Sequence, residues 1–236
     1  MKTSLECIPC LMRQTLEAVR FVTSDEKIQE KVLRNVLQTT AKMNFNASPP
    51  KIGQIIHRLI RELSRCHDPY RELKDHFNAY AWELYPMLET TVKKSSTPLE
   101  TAARIAVAGN IIDFGAYTEI NRKSVLETIE RALAESPVGS ESRFAEAVAA
   151  AETILYLGDN TGEIVFDRLL VQQLPKNRVT FAVRGMPVLN DATLEDAATA
   201  GLTELVPVID NGSDAPGTIL DECSEEFRKA FSKAGI

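Results

Sequence analysis

The 236-residue sequence has no excess of basic residues and no long apolar run, and these absences narrow its function. Its 27 Lys and Arg residues against 33 Asp and Glu residues give a formal net charge of −6, which leaves no basic field for nucleic acid. No stretch approaches the about 18 apolar residues of a membrane span, and the N-terminus lacks the apolar core of a signal peptide. We therefore expect a cytoplasmic protein without nucleic-acid or membrane partners. The oligomeric state is left open, a homo-oligomer included.

Cysteines are few, and no disulfide framework is expected from them. The four are Cys7, Cys10, Cys66 and Cys223, and disulfides are rare in cytoplasmic proteins. Cys7 and Cys10 have the C-x-x-C spacing, but no βαβ pattern surrounds them, which disfavours a thioredoxin-like motif. One hypothesis is a metal site formed by Cys7, Cys10, Cys66 and His67. The alternative is a set of buried thiols near the start of a helix.

The spacing of apolar residues changes near residue 150. Before it, apolar residues recur at helical spacing, and the capping box Thr97-Pro98-Leu99-Glu100 predicts a helix start. After it, short apolar runs predict strands at 154–157, 179–183 and 205–209, although Pro207 puts the third strand in doubt or at an edge. Because these strands alternate with helical patterns, we expect a parallel sheet. We predict an α/β protein with an N-terminal helical bundle (residues 1–150) and a C-terminal Rossmann-like domain (residues 151–236).

The central motif, Gly158-Asp159-Asn160-Thr161-Gly162-Glu163, follows the first predicted strand and opens a helix. Its two glycines allow the backbone to approach a ligand closely, and the helix N-terminus offers free N–H groups to an anion. Asp159 and Asn160 supply hard oxygen ligands that suit Mg²⁺ or Mn²⁺. One hypothesis is a phosphate site beside a divalent metal. The other is an Asx-type turn between a strand and a helix.

Polar side chains follow the predicted strands, where the carboxyl ends of parallel strands share one edge. We therefore predict that these loops converge. Asp159, Asn160 and Asp191 would hold a metal that polarises a phosphoryl group and lowers the pKa of bound water. Arg184 would bind phosphate oxygens, and Glu163 would orient a nucleophile or hold the loop. Taken singly, Asp191 has an alternative interpretation as a helix cap and Arg184 as a solvated charge.

A second polar motif, Gly109-Asn110-Ile111-Ile112-Asp113-Phe114-Gly115, places Asn110 and Asp113 in an apolar stretch. An unsatisfied asparagine in a plain core helix would cost about 1–3 kcal/mol. The pattern favours a polar group directed at the site over a satisfied asparagine in a helix-ending turn.

Five segments together resemble the archaeal and bacterial, CxxC-bearing branch of the damage-control phosphatases, a family long filed as domain of unknown function 89. They are Cys7-x-x-Cys10, His67 to Tyr70, Gly109 to Gly115, Gly158 to Glu163, and Arg184 to Thr193. The resemblance implies a helical N-terminal bundle and a Rossmann-like part. It also implies a metal-dependent phosphatase acting on small phosphorylated metabolites, sugar phosphates or phosphopantetheine-type compounds, and it leaves the metal open among Mg²⁺, Mn²⁺, Co²⁺ and Ni²⁺.

The same resemblance assigns the site residues. Its metal ligands fall on Asp159, Asn160 and Asp191, and its other pocket motif contains Asn110 and Asp113. Together with the strand-end analysis, we assign catalytic roles to Asp159, Asn160, Glu163 and Arg184. The predicted substrate-binding residues are Asn110, Asp113, Gly158, Thr161 and Arg184.

The sequence departs from the family pattern after its last predicted helix. There the family continues into a further strand and a Lys-Gly-x-Gly-Asn-like loop, whereas this sequence ends at Ile236. We therefore expect a truncated α/β domain, a weaker phosphatase than an extended version, and exposed Phe227 and Phe231. The alternatives to a phosphatase are an S-adenosylmethionine-dependent methyltransferase, which a Rossmann-like sheet would permit, and an inactive or binding fragment.

Overall fold

The computed structural model describes residues 2–110, 122–135 and 141–236. These ranges contain seven helices, followed by a region in which three strands alternate with further helices. The helices are α1 (Cys7–Val22), α2 (Glu26–Ala41), α3 (Pro49–Ser64), α4 (Arg71–Lys94), α5 (Pro98–Gly109), α6 (Arg122–Ala134), α7 (Glu141–Ala150), α8 (Glu163–Val171), α9 (Leu194–Thr199) and α10 (Glu225–Lys233). The strands are β1 (Ile154–Leu157), β2 (Val179–Val183) and β3 (Val208–Asp210).

Helices α1, α2 and α3 pack on one another around their own apolar cluster. Val19, Val32, Val36 and Ile60 are fully buried there, and burying each such side chain contributes about 1.5–3 kcal/mol. The carboxylate of Asp25 accepts from the backbone N–H of Lys27, which caps the start of α2. Helix α3 of this bundle contacts the loops after β2 and β3, since Arg61 donates to the Pro187 carbonyl and Gln54 donates to Asp214.

A larger apolar core joins α4 and α5 to the sheet through α8. Leu84 of α4, Ile105 of α5 and Phe166 of α8 belong to it and are almost entirely buried. Gly109 lies against the Phe166 ring, where an added Cβ would come within 3.0 Å of the ring. Helices before residue 150 therefore hold the helix that follows the central motif.

The three strands form a parallel sheet in the order β1-β2-β3. Ile154 aligns with Val179, and Phe181 aligns with Val208. The predicted bounds of the first two strands are confirmed, whereas the third begins only after Pro207 and lies at an edge, because proline cannot donate to a ladder. The α/β class is therefore confirmed. The division into two domains at residue 150 stays a prediction.

Helix α10 packs on the sheet through Phe227. Phe227 is 1% exposed and packs in a cluster with Ala182 and Cys223. The expectation of an exposed Phe227 was wrong, because the strands themselves supply apolar partners for this side chain. Phe231 is 42% exposed, as expected.

No helix in the described ranges combines the length and apolarity that crossing a membrane requires.

All four cysteines are free thiols. Among the described residues, no group of three or more His, Cys, Asp and Glu is placed to hold a metal. The hypothesis of a metal site at Cys7, Cys10, Cys66 and His67 is therefore not supported.

Candidate active site

The loops after the three strands meet through backbone hydrogen bonds. The N–H of Ala192 donates to the carbonyl of Asp159 at 2.7 Å, which folds the loop after β2 back over the loop after β1. The N–H of Gly185 donates to the carbonyl of Ser213 at 2.9 Å, which attaches the loop after β3. The predicted convergence at the carboxyl edge of the sheet is confirmed.

Arg184 joins two of the predicted metal ligands. Its Nη2 lies 2.8 Å from Asp159 Oδ1, and its Nε lies 2.6 Å from Asp191 Oδ2. Asn160 and Asp191 form an isolated antiparallel bridge, so these backbones are neighbours as well. The Arg184 side chain is only 9% exposed. It is therefore a buried partner of the two carboxylates and not a solvated surface charge.

Glu163 lies at the start of α8 and accepts from two amides. Asn160 Nδ2 donates to Glu163 Oε2 at 3.1 Å, and Asn110 Nδ2 donates to the same oxygen at 3.0 Å. Burial raises the pKa of Glu163, and the two amide hydrogen bonds oppose that rise. The end of α5 thus reaches the central motif through Asn110. Asp113, the other predicted residue of that segment, lies outside the described residues.

The site carries more negative than positive charge, and this decides which ligand it fits. Burial raises the pKa of Asp191 to about 7, despite the opposing attraction of Arg184, and the charge of Asp159 raises it further. A nearby cation would favour the charged form of a buried carboxylate whose pKa is raised in this way. Asp159, Asn160 and Asp191 offer the carboxylate and amide oxygens that Mg²⁺ and Mn²⁺ prefer. The donor set therefore fits a hard divalent ion.

Gly158 and Thr161 are buried residues that hold the central motif in place. The N–H of Gly158 donates to the carbonyl of Ala182 at 2.9 Å, and a Cβ here would lie 2.4 Å from the Phe181 ring. Thr161 is fully buried, and both its N–H and its hydroxyl donate to the Asn190 carbonyl. Their role in substrate binding stays a prediction.

Two residues of α4 act at the site and were missed from the sequence. Asn78 Oδ1 accepts from the N–H of Gly162 at 2.9 Å, so α4 occupies an N–H group at the start of α8. Lys74 is fully buried and lies 2.8 Å from Asp196 Oδ2 and 3.2 Å from Asp68 Oδ2. Both lie on the face of α4 that buries Ala81. The sequence feature that could have revealed them is that Lys74 and Asn78 are polar residues four positions apart on an otherwise apolar helix face.

A second buried carboxyl group lies behind Glu163. Asp167 is one turn further along α8, is 3% exposed, and accepts from the Tyr156 hydroxyl at 2.7 Å. Burial raises the pKa of Asp167 well above its usual range, and the charge of Glu163 adds to the effect. This group also went unnoticed in the sequence, because an aspartate four residues after Glu163 is typical of a solvated helix face.

An open cavity of about 480 Å³ lies beside Arg184. Its other walls are the segment between α3 and α4, which includes His67, and the start of α9, which includes Thr193. Its volume lies in the range of small-molecule sites, about 300–1,000 Å³. Among the described residues, Arg184 is the one predicted site residue that lines this cavity.

Comparisons with known proteins extend over the whole chain. A family model described as the damage-control phosphatase ARMT1-like domain matches residues 3–236. An uncharacterized protein of Methanocaldococcus jannaschii is 35% identical over 246 residues, with 100% of this chain and 79% of that protein covered. A damage-control phosphatase of Archaeoglobus fulgidus is 30% identical over 242 residues, covering 100% and 83%. The crystal structure of a DUF89 family protein from Pyrococcus horikoshii matches with a TM-score of 0.84 at 31% identity, covering 100% of this chain and 83% of that one.

Proposed function

Because this chain belongs to the family of damage-control phosphatase ARMT1-like domains, we propose that it is a metal-dependent phosphomonoesterase acting on small phosphorylated metabolites. One observation carries the proposal. Asp159 and Asp191 converge on Arg184, at the carboxyl edge of a parallel sheet and beside an open cavity. Edges of this kind are where parallel α/β sheets bind their ligands.

Asp159, Asn160 and Asp191 are the residues that would hold the ion, which we expect to be Mn²⁺, Mg²⁺, Co²⁺ or Ni²⁺. When bound, the ion supplies Lewis-acid polarisation of the phosphoryl group. The hard oxygen ligands support this assignment. So do the carboxylates of Asp159 and Asp191, which both contact Arg184.

Arg184 is proposed to bind and orient the phosphate. Its Nε and Nη2 are engaged by the two carboxylates, whereas Nη1 has a long contact of 3.4 Å with Thr218 Oγ1. Since Arg184 also lines the cavity, Nη1 is the donor best placed for a phosphate oxygen. Arginine presents N–H groups in a planar fork that matches phosphate geometry.

Glu163 is proposed to accept a hydrogen bond or a proton from the attacking water. Its raised pKa brings the carboxylate closer to the proton affinity that a general base needs near neutral pH. Asn110 and Asn160 would hold the carboxylate in place through their amide groups. Asn110 is therefore proposed as a positioning residue, which affects the reaction by holding Glu163 in place.

The comparisons do not favour the methyltransferase alternative, because the family model and the relatives with a stated activity are named as phosphatases. We further propose a cytoplasmic location and no membrane partner. We also propose no nucleic-acid partner, which the net charge of −6 supports.

Phosphate release from a panel of monoesters tests the proposal. The purified chain is stripped with a chelator and assayed with each metal in turn, as wild type, as Asp159→Asn, and as the exposed control Asp221→Asn. We expect metal-dependent turnover that falls in Asp159→Asn by more than the about 10- to 100-fold that losing an outer-shell partner of a metal costs, and that is retained in Asp221→Asn. Wild-type turnover in Asp159→Asn, or turnover without metal, would reject the assignment.

The same preparation discriminates the alternatives. A rise in melting temperature with S-adenosylmethionine, without phosphate release, would favour the methyltransferase. Absence of turnover with every metal and ester would favour an inactive or binding fragment.

A further inference from the structure

The cavity beside Arg184 has a chemically distinct far wall. Asp68 and Arg71 line it from the segment after α3, and Glu195 lines it from the start of α9. If the phosphate is bound at Arg184, the organic part of the substrate extends toward this wall. The wall therefore determines which organic groups are accepted.

Carboxylates outnumber cations at this wall. The guanidinium of Arg71 lies 2.6 Å from Asp75, 2.7 Å from Asp196 and 3.5 Å from Glu195. Lys74, behind the wall, contacts Asp196 and Asp68. Two of the residues that line this wall, Asp68 and Glu195, are carboxylates, and one, Arg71, is a cation. Arg71 is also engaged by Asp75 and Asp196, which are not among the lining residues, so the lining of this wall carries an excess of negative charge.

We propose that this wall restricts the enzyme to phosphate monoesters whose organic part carries no second anionic group, with Glu195 and Asp68 as specificity-determining residues. The inference rests on the proposed phosphatase function. A second phosphate or a carboxylate on the substrate would approach the carboxylates of Glu195 and Asp68, and like charges in close proximity repel each other. Hydroxyl groups donate hydrogen bonds to the same oxygens, so a phosphate monoester whose organic part is uncharged and bears hydroxyl groups is accepted.

Glu195 offers the cleaner test, because its side chain is 76% exposed and its replacement leaves the buried network intact. The variant Glu195→Gln removes the charge and preserves the shape. A matched control is Glu204→Gln, since Glu204 is also 76% exposed and also faces an arginine, Arg168 at 3.9 Å, but does not line the cavity.

The assay compares kcat/KM for glucose 6-phosphate and glucose 1,6-bisphosphate at low salt. We expect wild type to prefer the monophosphate, and Glu195→Gln to reduce that preference by about twofold to fivefold, the range for one exposed charge. Glu204→Gln should leave the ratio unchanged, and about 0.5 M salt should shrink the wild-type preference, because the Debye length falls.

Two results would overturn the inference and leave the phosphatase assignment standing. One is a wild-type enzyme that hydrolyses other monoesters but handles the monophosphate no better than the bisphosphate. The other is a ratio that Glu195→Gln does not change, or that both variants change equally. Absence of phosphate release from every monoester would instead reject the proposed function, and the inference would fall with it.

Discussion

Replacing Lys74 by methionine should destabilise the fold far more than an ordinary lysine replacement. The ammonium group is fully buried and makes contacts of 2.8 Å to Asp196 and 3.2 Å to Asp68, whose side chains are 0% and 11% exposed. Although burial raises the pKa of Asp196, the charge of Lys74 is the first of several influences that bring it below its usual value. Lys74→Met therefore leaves a buried carboxylate with less compensation.

The contacts of Asp196 determine how much unfolding free energy Lys74→Met should lose. Removing one partner of a buried ion pair costs about 3–5 kcal/mol. Asp196 keeps Arg71 at 2.7 Å and the Thr193 N–H at 2.9 Å, so we expect the lower end, about 3 kcal/mol. Adding Asp196→Asn should recover part of the loss, because the uncompensated charge disappears while an oxygen remains to accept from Thr193.

Urea unfolding followed by circular dichroism measures the effect. With a slope of about 2–3 kcal/mol per molar urea, the midpoint of Lys74→Met should fall by about 1–1.5 M. The control is Lys93→Met on the same helix, where the lysine is 68% exposed in a pair with Glu89, and a change of at most about 0.5 kcal/mol is expected. A loss below 1 kcal/mol in Lys74→Met, or one equal to the control, would refute the reasoning.

Three further changes test other parts of the structure by denaturant unfolding. Burial, aided by Arg61, lowers the pKa of His57 from 6.5 to about 4, so the stability that neutral His57 contributes above pH 6.5 is lost on acidification. Between pH 7 and 4 the wild type should lose about 3 kcal/mol of unfolding free energy that His57→Leu retains. Parallel curves of unfolding free energy against pH for the two proteins would disprove this. Arg65 ends α3 with a φ of 55°, a left-handed conformation that favours glycine, so Arg65→Gly should stabilise the fold by about 1 kcal/mol. Lys42, which ends α2, has a φ of −107°, so Lys42→Gly should not stabilise the fold. Gly158→Ala should cost about 1–3 kcal/mol, because its Cβ would meet the packed Phe181 ring; an unchanged midpoint would contradict this contact.

The sequence predicted the sheet well because buried parallel strands leave a strong local signal. The continuous apolar runs at 154–157 and 179–183 coincide with β1 and β2. The third strand was placed too early, since the prediction included Pro207 and the residues before it. The helix start at Pro98 was also predicted, although Thr97 makes no capping hydrogen bond through its side chain.

The sequence predicted that Asp159, Asn160 and Asp191 lie close together, but not how their side chains are bonded. Parallel topology alone brings Asp159 and Asp191 to one edge, so their proximity followed from strand order. That Arg184 would lie between them depends on the loop after β2 folding back onto Asp159 through Ala192, and no local pattern encodes such a contact. Lys74 was overlooked for the same reason, because its partner Asp196 is more than a hundred residues away in sequence.

The most direct test of the central claim is the position of a metal ion in a crystal grown with Mn²⁺ and inorganic phosphate. Anomalous scattering locates the ion without reference to any assumed chemistry. We predict one manganese peak with oxygen ligands from Asp159, Asn160 and Asp191 at about 2.0–2.6 Å, and a phosphate oxygen within hydrogen-bond distance of Arg184. Manganese bound at another part of the chain, with these three side chains unliganded, would contradict the account.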